Sequence, residues 1–242
     1  MKYYLFLICI VCTMSSTAKE FRIFTDKEGR MIQAKIVKCD PRSGKVTLLR
    51  DNGTKATVPA AIFKDSDVSY IKEWMSASQF QLNSKFRIKT DLDKDKVDDK
   101  TTAITYTVQL ENKTNMLIEG LRVEYAIFVR VAGFNGEKDS EKIYTGTLDF
   151  DSIYHGQKKE LTTAKEELKE TYKAYTYQDT ESDGYYSYTV TRTGQKKMTE
   201  DKISGIWLKV YGPKAGGEQI VRDFTDSRGL DEKYTWPADK FN

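Results

Sequence analysis

Residues 21–58 alternate apolar and polar side chains, and tight-turn sequences break this alternation every few residues. The first alternation, Phe21 to Thr25, stops at Asp26-Lys27-Glu28-Gly29, where glycine permits the positive φ of a turn. Asp40-Pro41-Arg42-Ser43-Gly44 and Asp51-Asn52-Gly53 are two further breaks. An Asn-Gly pair between alternating segments is the strongest local signal for a hairpin. The stretch therefore predicts four or five short antiparallel strands, compact enough for a small barrel.

A short helix is expected to follow these strands. Pro59 cannot donate a ladder hydrogen bond and ends the last strand. Asp65 or Ser66 can cap a helix N-terminus. Apolar residues then recur at helical spacing, at Val68, Ile71, and Trp74 or Met75.

Turn glycines and core residues recur at a distinctive spacing across residues 20–75: Phe24-Thr25-Asp26, Gly29, Ala34, Val46-x-Leu48, Gly53, Val58-Pro59 and Asp67-x-x-Tyr70-Ile71. This pattern resembles a known family, the SLA-one homology domain, a small barrel of the Src-homology type. In its eukaryotic namesake the domain recognises short Asn-Pro-Phe-x-Asp peptides, and similar modules occur in exported bacterial proteins with no established ligand. Phe24 stands where many members carry tryptophan. The resemblance implies an SH3-like architecture for a module at 19–76, without assigning peptide-binding residues.

The N-terminus has the pattern of a secretory signal. Lys2 precedes the apolar run Tyr3–Val11, and small residues follow at Ser15, Ser16 and Ala18. An apolar run of about a dozen residues is shorter than the ~20 that a membrane-spanning helix needs. We therefore expect residues 1–18 to be a cleaved signal peptide, so that the mature protein is secreted or periplasmic with no integral membrane span.

The charge of the mature chain bears on its binding partners, and its cysteine content bears on how the fold is stabilised. Of 39 basic and 36 acidic residues, removal of residues 1–18 takes only Lys2 and leaves a formal charge of +2. Nucleic-acid binding is not expected, because it favours a concentrated basic face. Cys39 remains as a single thiol, so the fold depends on buried apolar area, and we expect Cys39 to be inert at a strand end.

The remainder of the chain predicts a second β-rich domain. The residues Ser76-Ala77-Ser78-Gln79 suggest a junction, with a linker at 77–82. Residues 83–242 are then expected to form an antiparallel β-sandwich of immunoglobulin or fibronectin type. The candidate strands are Lys85–Lys89, Thr101–Glu111, Leu121–Val131, Tyr144–Phe150, Tyr185–Thr193, Ile203–Tyr211 and Gln219–Phe224. The whole chain is thus expected to be mainly β.

A segment near 163–183 departs from this pattern. Ala164–Glu170 is a good helix-forming sequence, and tyrosine-rich sequence follows it. We expect an inserted short helix or an extended hairpin. Its tyrosines either pack across strands or form an aromatic face for sugar or protein contact.

No catalytic or metal-binding motif is complete. Asp91-Leu92-Asp93-Lys94-Asp95 begins like a calcium loop, but Lys96 replaces the turn glycine and Thr102 the bidentate glutamate. His155 is the single histidine, so a zinc site or a triad with a second histidine cannot be assembled. The sequence predicts a protein that is not an enzyme and needs no cofactor or metal.

We therefore expect an exported, adaptor-like protein that binds a protein or peptide. The alternative is a carbohydrate-binding or cell-envelope structural protein that uses a tyrosine- and tryptophan-rich sandwich, and a hydrolase with an unrecognised site is a third possibility. The candidate ligand-binding residues are Lys35, Lys38, Tyr185, Tyr186, Trp207 and Trp236. Lys35 and Lys38 could attract an acidic peptide, and the aromatic residues could contact a glycan.

Overall fold

A computed structural model describes residues 21–182 and 184–241. The expected signal peptide, residues 1–18, lies outside these described residues. The protein is mainly β, with several antiparallel sheets. Its chain divides into two compact units. The first unit comprises the residues up to Met75 and the segment Ala215–Glu218, and the second comprises Ser76–Lys214 and the residues from Gln219 onward.

The first unit contains a four-stranded antiparallel sheet in the order β1-β2-β3-β4. The strands are β1 (Arg22–Thr25), β2 (Met31–Asp40), β3 (Lys45–Arg50) and β4 (Lys55–Pro59). The expected turns join them, and Gly29, Gly44 and Gly53 all have positive φ. A 3-10 helix, Ala60–Ile62, follows β4, and helix α1 runs from Asp65 to Gln81.

Hydrogen bonds join the end of this sheet back to its beginning. Lys27 N donates to Ile62 O at 2.9 Å, Lys64 N donates to Thr25 O at 2.9 Å, and Phe63 forms a β-bridge with Asp26. The alternating inward residues of the strands form one apolar cluster with helix α1. Its buried members are Phe24, Ala34, Ile36, Val46, Leu48, Phe63 and Ile71.

Asp67 links the start of helix α1 to strand β1 through hydrogen bonds. Its buried carboxylate accepts hydrogen bonds from the Thr25 amide and from the Arg22 guanidinium, each at 2.7 Å. Arg22 also lies 3.8 Å above the centre of the Tyr70 ring. The residues Asp67 and Tyr70, quoted for the family resemblance, thus have structural partners in the first unit.

The second unit contains two antiparallel sheets, an arrangement consistent with a β-sandwich. One has the order β11-β10-β6-β5, with β9 beside β6, and the other has the order β13-β12-β7-β8. The strands are β5 (Phe86–Lys96), β6 (Thr101–Asn112), β7 (Ile118–Val131), β8 (Ser140–Ile153), β9 (Lys158–Thr162), β10 (Glu166–Ser182), β11 (Ser187–Glu200), β12 (Lys202–Ala215) and β13 (Glu218–Thr225). Helix α2 (Leu230–Lys233) and a 3-10 helix (Ala238–Lys240) follow.

The core of the second unit lies between its two sheets. Ile104, Tyr106, Val108 and Leu110 of β6 face it, as do inward residues of β7 and β12. The Tyr125 hydroxyl accepts a hydrogen bond from the Ala164 amide at 3.1 Å, which links β7 to the β9–β10 connection. The ring of Tyr125 lies over Gly146 of β8, where a side chain would collide with it.

Three local features of the structure can be compared with the sequence expectations. The expected linker at 77–82 is helical as far as Gln81, because Ala77 and Phe80 extend the apolar spacing of helix α1 and are buried. The segment near 163–183 forms the hairpin alternative, with β10 paired to β11. Asp91, Asp93 and Asp95, which begin the incomplete calcium-loop motif, are not in a loop: they alternate along strand β5 and are exposed.

Candidate functional site

The first unit has a groove of about 330 Å³ on the apolar side of its sheet. Strands β2, β3 and β4, the 3-10 helix and the turn before β2 supply its walls. The lining residues are Asp26, Arg30, Met31, Ile32, Leu48, Arg50, Ala56, Val58, Ile62 and Phe63. A cavity of this size lies at the small end of the range for ligand pockets.

The groove exposes apolar side chains at its lip. Leu48 and Phe63 on its floor are buried and belong to the core. Ile62 and Met31 remain 39% and 73% exposed. Ile62 is at the end of the 3-10 helix, which begins where Pro59 stops the β4 ladder. An apolar side chain from a ligand would therefore meet apolar surface at both the lip and the floor.

Three charged residues line the groove, and one of them has an unpaired side chain. Arg30 contacts the Asp26 carboxylate at 2.6 Å and also pairs with Glu28. Its hydrogen bond holds the pKa of Asp26 below the ordinary value for aspartate. Arg50 is exposed and has no ion pair within the described residues. The uncompensated charge in the groove is therefore the positive charge of Arg50.

Lys35 and Lys38, the lysines expected to attract an acidic peptide, do not line this groove. Both are on the outer side of β2, where Lys35 is opposite Leu49 and Lys38 is opposite Thr47. An irregularity between Ile36 and Lys38 keeps both lysines on this side. The Lys35 ammonium lies 5.2 Å from the centre of the Phe21 ring.

The four aromatic candidates form two separate pairs. Tyr185 and Tyr186 are in the turn between β10 and β11 and are 93% and 77% exposed. Trp207 and Trp236 contact each other edge to face, with ring centroids 5.7 Å apart.

Both tryptophans contact other side chains of the second unit. Trp207 Nε1 donates to Asp223 at 2.9 Å, and Trp236 stacks on Phe241. Both indoles pack against the cluster that contains Phe128 and Tyr234. Their surroundings are those of a packed surface layer.

A second cavity, of about 520 Å³, opens between the two sheets of the second unit. Tyr106, one of its lining residues, is buried, and burial together with the nearby Asp226 carboxylate raises the pKa of this phenol above its ordinary value. Asp226 accepts the Ile206 amide at 2.8 Å, and Asp201 accepts the amides of Ala132 and Lys169. Both carboxylates therefore act as hydrogen-bond acceptors for backbone amides.

Cys39 points toward the core of the first unit. Its side chain packs against the apolar cluster, and desolvation raises the pKa of the thiol to about 12. A thiol with so high a pKa contains almost no thiolate near neutral pH, and the thiolate is the reactive form.

The sequence predicts neither a metal site nor a membrane-spanning helix, and the described residues bear on both predictions. Among the described residues, no group of three or more His, Cys, Asp or Glu side chains is placed to hold a metal ion. None of the helices in the described ranges combines the length and apolar character needed to cross a membrane.

Sequence reasoning missed two residues that line the groove, Ile62 and Arg50. Ile62 follows Pro59-Ala60-Ala61, and an apolar residue just beyond a strand-ending proline was a usable signal. Arg50 immediately precedes the Asp51-Asn52-Gly53 turn, so the hairpin signal could have located it at a strand end. Neither signal indicates that the two side chains line the same groove.

Comparison with known proteins adds no family assignment to this geometry. No protein-family model matches the chain, and no curated protein sequence matches it.

Proposed function

We propose that this chain is an exported, non-catalytic, adaptor-like protein whose first unit binds an extended peptide. In this proposal the first unit is a small SH3-like barrel of the SLA-one homology type, and the second is an immunoglobulin-like β-sandwich. Two hydrogen bonds support the barrel, one from the Lys27 amide to the Ile62 carbonyl and one from the Lys64 amide to the Thr25 carbonyl, because they bring the end of the sheet to its first strand.

The groove beside β2, β3 and β4 is the observation that carries the proposal. It combines an apolar floor, an apolar lip and one cation, Arg50, that forms no ion pair with any of the described residues. Such combinations suit peptides, because pockets for side chains supply specificity and a charged group fixes orientation. The matching ligand is a peptide with an apolar side chain close to a carboxylate.

Steric and charge features define this ligand further. Ile62 and Met31 would cover the apolar side chain, while Arg50 would pair with the peptide carboxylate. Asp26 lines the same groove, but its charge is balanced by Arg30. A cationic peptide would find no unpaired carboxylate in the groove and would be repelled by Arg50. It should therefore bind less well than an acidic peptide.

A peptide array tests the proposal with purified protein. The peptides, of about ten residues, would carry Leu or Phe at one to three positions before Asp or Glu, with alanine versions of each as references. Fluorescence anisotropy would then measure affinities for the best peptides, and a glycan array would be probed in parallel. We expect binding that requires both the apolar residue and the acid.

Matched variants test the location of the site. Ile62→Asp should weaken binding at least tenfold, equivalent to about 1.4 kcal/mol. Val37→Asp is its control, because Val37 is similarly exposed, at 44%, and does not line the groove. Arg50→Glu should weaken acidic peptides by a similar factor, whereas Arg42→Glu, in an exposed turn of the same unit, should not.

Binding to glycans alone would overturn the peptide proposal. Equal losses in Ile62→Asp and Val37→Asp would exclude the groove as the site. Export has its own test, because N-terminal sequencing of protein recovered outside the cytoplasm should begin at Lys19.

A further inference from the structure

The hairpin formed by β10 and β11 extends far beyond the sheet to which it belongs. Only Glu166–Lys169 of β10 pairs with β6. From Glu170 to Ser182, β10 pairs with β11 alone. Every residue from Lys173 to Thr180 is exposed. We call residues 173–182 and 187–196 the arm.

The two faces of the arm differ in composition, because side chains alternate between them. One face, the tyrosine face, carries Lys173, Tyr175, Tyr177, Asp179 and Glu181, with Lys196, Gly194, Arg192, Val190 and Tyr188 opposite them. The other, the threonine face, carries Ala174, Thr176, Gln178, Thr180 and Ser182, with Gln195, Thr193, Thr191, Thr189 and Ser187 opposite. The aromatic rings and the charges of these paired positions are thus confined to the tyrosine face.

Two of the rings on the tyrosine face, those of Tyr175 and Tyr177, contact each other near the middle of the arm. Tyr175 and Tyr177 have ring centroids 5.8 Å apart. Tyr175 lies over Gly194, whose missing side chain leaves room for the ring. Both tyrosines stay about half exposed, at 50% and 43%. A strand pair open to water on both faces is only marginally stable by itself, so a covering surface would stabilise the arm.

Charge on the tyrosine face changes sign along the arm. At the base, Lys173 and Lys196 are directly opposite each other, and neither has an ion pair within the described residues. Toward the tip, Asp179 and Glu181 share one cation, Arg192, which contacts Asp179 at 3.0 Å. The base is therefore positive by two charges and the tip segment negative by one.

We propose that the tyrosine face binds the same face of a second copy, with the two arms antiparallel about a two-fold axis near Tyr177. Reversing one arm places its positive base opposite the negative tip of the other, twice in the dimer. The tyrosines of both copies then meet at the centre. A two-fold interface must be self-complementary in this way. Parallel arms would instead put four lysines together.

The size of the face predicts a weak dimer. The nine residues from Lys173 to Glu181 span about 30 Å at ~3.3 Å per residue, and two strands are about 10 Å wide. The resulting area of roughly 300 Å² per copy is well below the ~800 Å² per partner of stable interfaces. We therefore expect a dissociation constant in the micromolar range or weaker, and a strong dependence on ionic strength.

Sedimentation velocity of the purified protein over a wide concentration range tests the proposal. We expect concentration-dependent dimerisation at about 0.05 M salt that is largely lost at about 0.5 M. The double variant Lys173→Glu with Lys196→Glu should be monomeric, and so should Asp179→Lys with Glu181→Lys. An equimolar mixture of the two should dimerise again, because each acidic end then faces a basic end.

The threonine face supplies the control. Thr189→Glu with Thr193→Glu introduces the same number of charges on the opposite face and should leave dimerisation unchanged. A protein that is monomeric at every concentration in low salt would overturn the proposal, as would a mixture of charge variants that stays monomeric. Loss of the dimer only in the threonine-face variant would also overturn it. None of these outcomes depends on peptide binding in the first unit.

Discussion

Strand β7 and the arm are both antiparallel β-structure, but their environments are opposite. Every residue of β7 from Val123 to Val129 is buried, on both faces of the strand. Every residue of β10 from Lys173 to Thr180 is exposed, also on both faces. The difference predicts that the two regions contribute unequally to stability, because packing on the two faces of a strand adds to its hydrogen-bonded pairing.

The two faces of β7 are covered by different parts of the second unit. Tyr125 and Ile127 face the core between the sheets. Ala126 and Phe128 face outward and are covered by Leu230 and Tyr234. The rings of Phe128 and Tyr234 stack with centroids 4.3 Å apart. The arm has no comparable cover within the described residues, and its order rests on hairpin hydrogen bonds and cross-strand pairs.

The largest predicted effect is the loss of the outer cover of β7. Phe128→Ala should destabilise the second unit by about 3 to 5 kcal/mol, because it removes a buried ring stacked on Tyr234 and leaves a cavity. Tyr177→Ala in the arm should cost less than about 1 kcal/mol, the range of an exposed cross-strand pair. Urea unfolding followed by circular dichroism measures both. Equal costs would contradict the comparison.

Two glycines provide a smaller, matched test. A Cβ at Gly146 would lie within 3 Å of the Tyr125 ring in the core, and one at Gly194 would lie within 3 Å of the Tyr175 ring on the arm. Gly146→Ala should destabilise by about 1 to 3 kcal/mol, because a packed ring cannot move aside. Gly194→Ala should change stability by less than about 0.5 kcal/mol, since Tyr175 can swing into solvent.

Thermal unfolding of the two alanine variants measures this difference. A large loss in Gly194→Ala would mean that the arm is rigidly packed. A neutral Gly146→Ala would mean that the β7 core tolerates extra volume.

The sequence predicts the inner face of β7 better than its outer face. The alternation of Val123, Tyr125, Ile127 and Val129 is a local pattern, and it locates a strand with one buried side. The outer side is covered by Leu230 and its neighbours, about a hundred residues further along the chain. Local periodicity contains no information on such a distant contact.

The start of strand β10 shows the opposite failure, in which a local signal was misleading. Ala164–Glu170 has good intrinsic helix propensity, yet Glu166–Lys169 pairs with β6 and Leu168 is buried. Tertiary pairing here outweighs a helix preference of a few tenths of a kcal/mol per residue.

The turns of the first unit were predictable because Gly29, Gly44 and Gly53 each supply a positive φ locally. Its groove was not, because Arg50 and Ile62 line one cavity only after folding.

A pH-dependent effect should come from the outer side of β7, where Glu124 is buried. Its carboxylate pairs with Arg122 at 2.9 Å and accepts the Tyr211 hydroxyl at 2.7 Å. Burial and this hydrogen bond raise the pKa of Tyr211 to about 12. The folded state then holds a proton that the unfolded state loses above pH ~10. Stability should therefore be complete below pH ~10 and fall as the pH rises to about 12.

The expected contribution of Tyr211 to this fall is roughly 1 kcal/mol, because partial solvent contact reduces the full effect of the shift. Urea unfolding at several pH values, in the native protein and in Tyr211→Phe, isolates it. The fall should be shallower in the variant. An identical decline in both proteins would contradict the role assigned to Tyr211 beside Glu124.

The smallest predicted effect follows from removing the arm. Tyr172 and Lys197 are directly opposite each other, so an Asn-Gly turn can replace residues 173–196 and close a short hairpin. The shortened protein should keep its fold and lose less than about 1 kcal/mol, because the removed residues from 173 to 180 are exposed and none of the strand pairings to β6 involves the arm.

Urea unfolding of the shortened protein tests this, with sedimentation velocity on the same sample. Stability should be nearly unchanged while self-association disappears, since the tyrosine face is gone. A shortened protein that fails to fold would show that β10 and β11 stabilise the sheet through the arm, and the contrast with β7 would not hold. A shortened protein that folds and still dimerises would place the self-association surface elsewhere on the molecule.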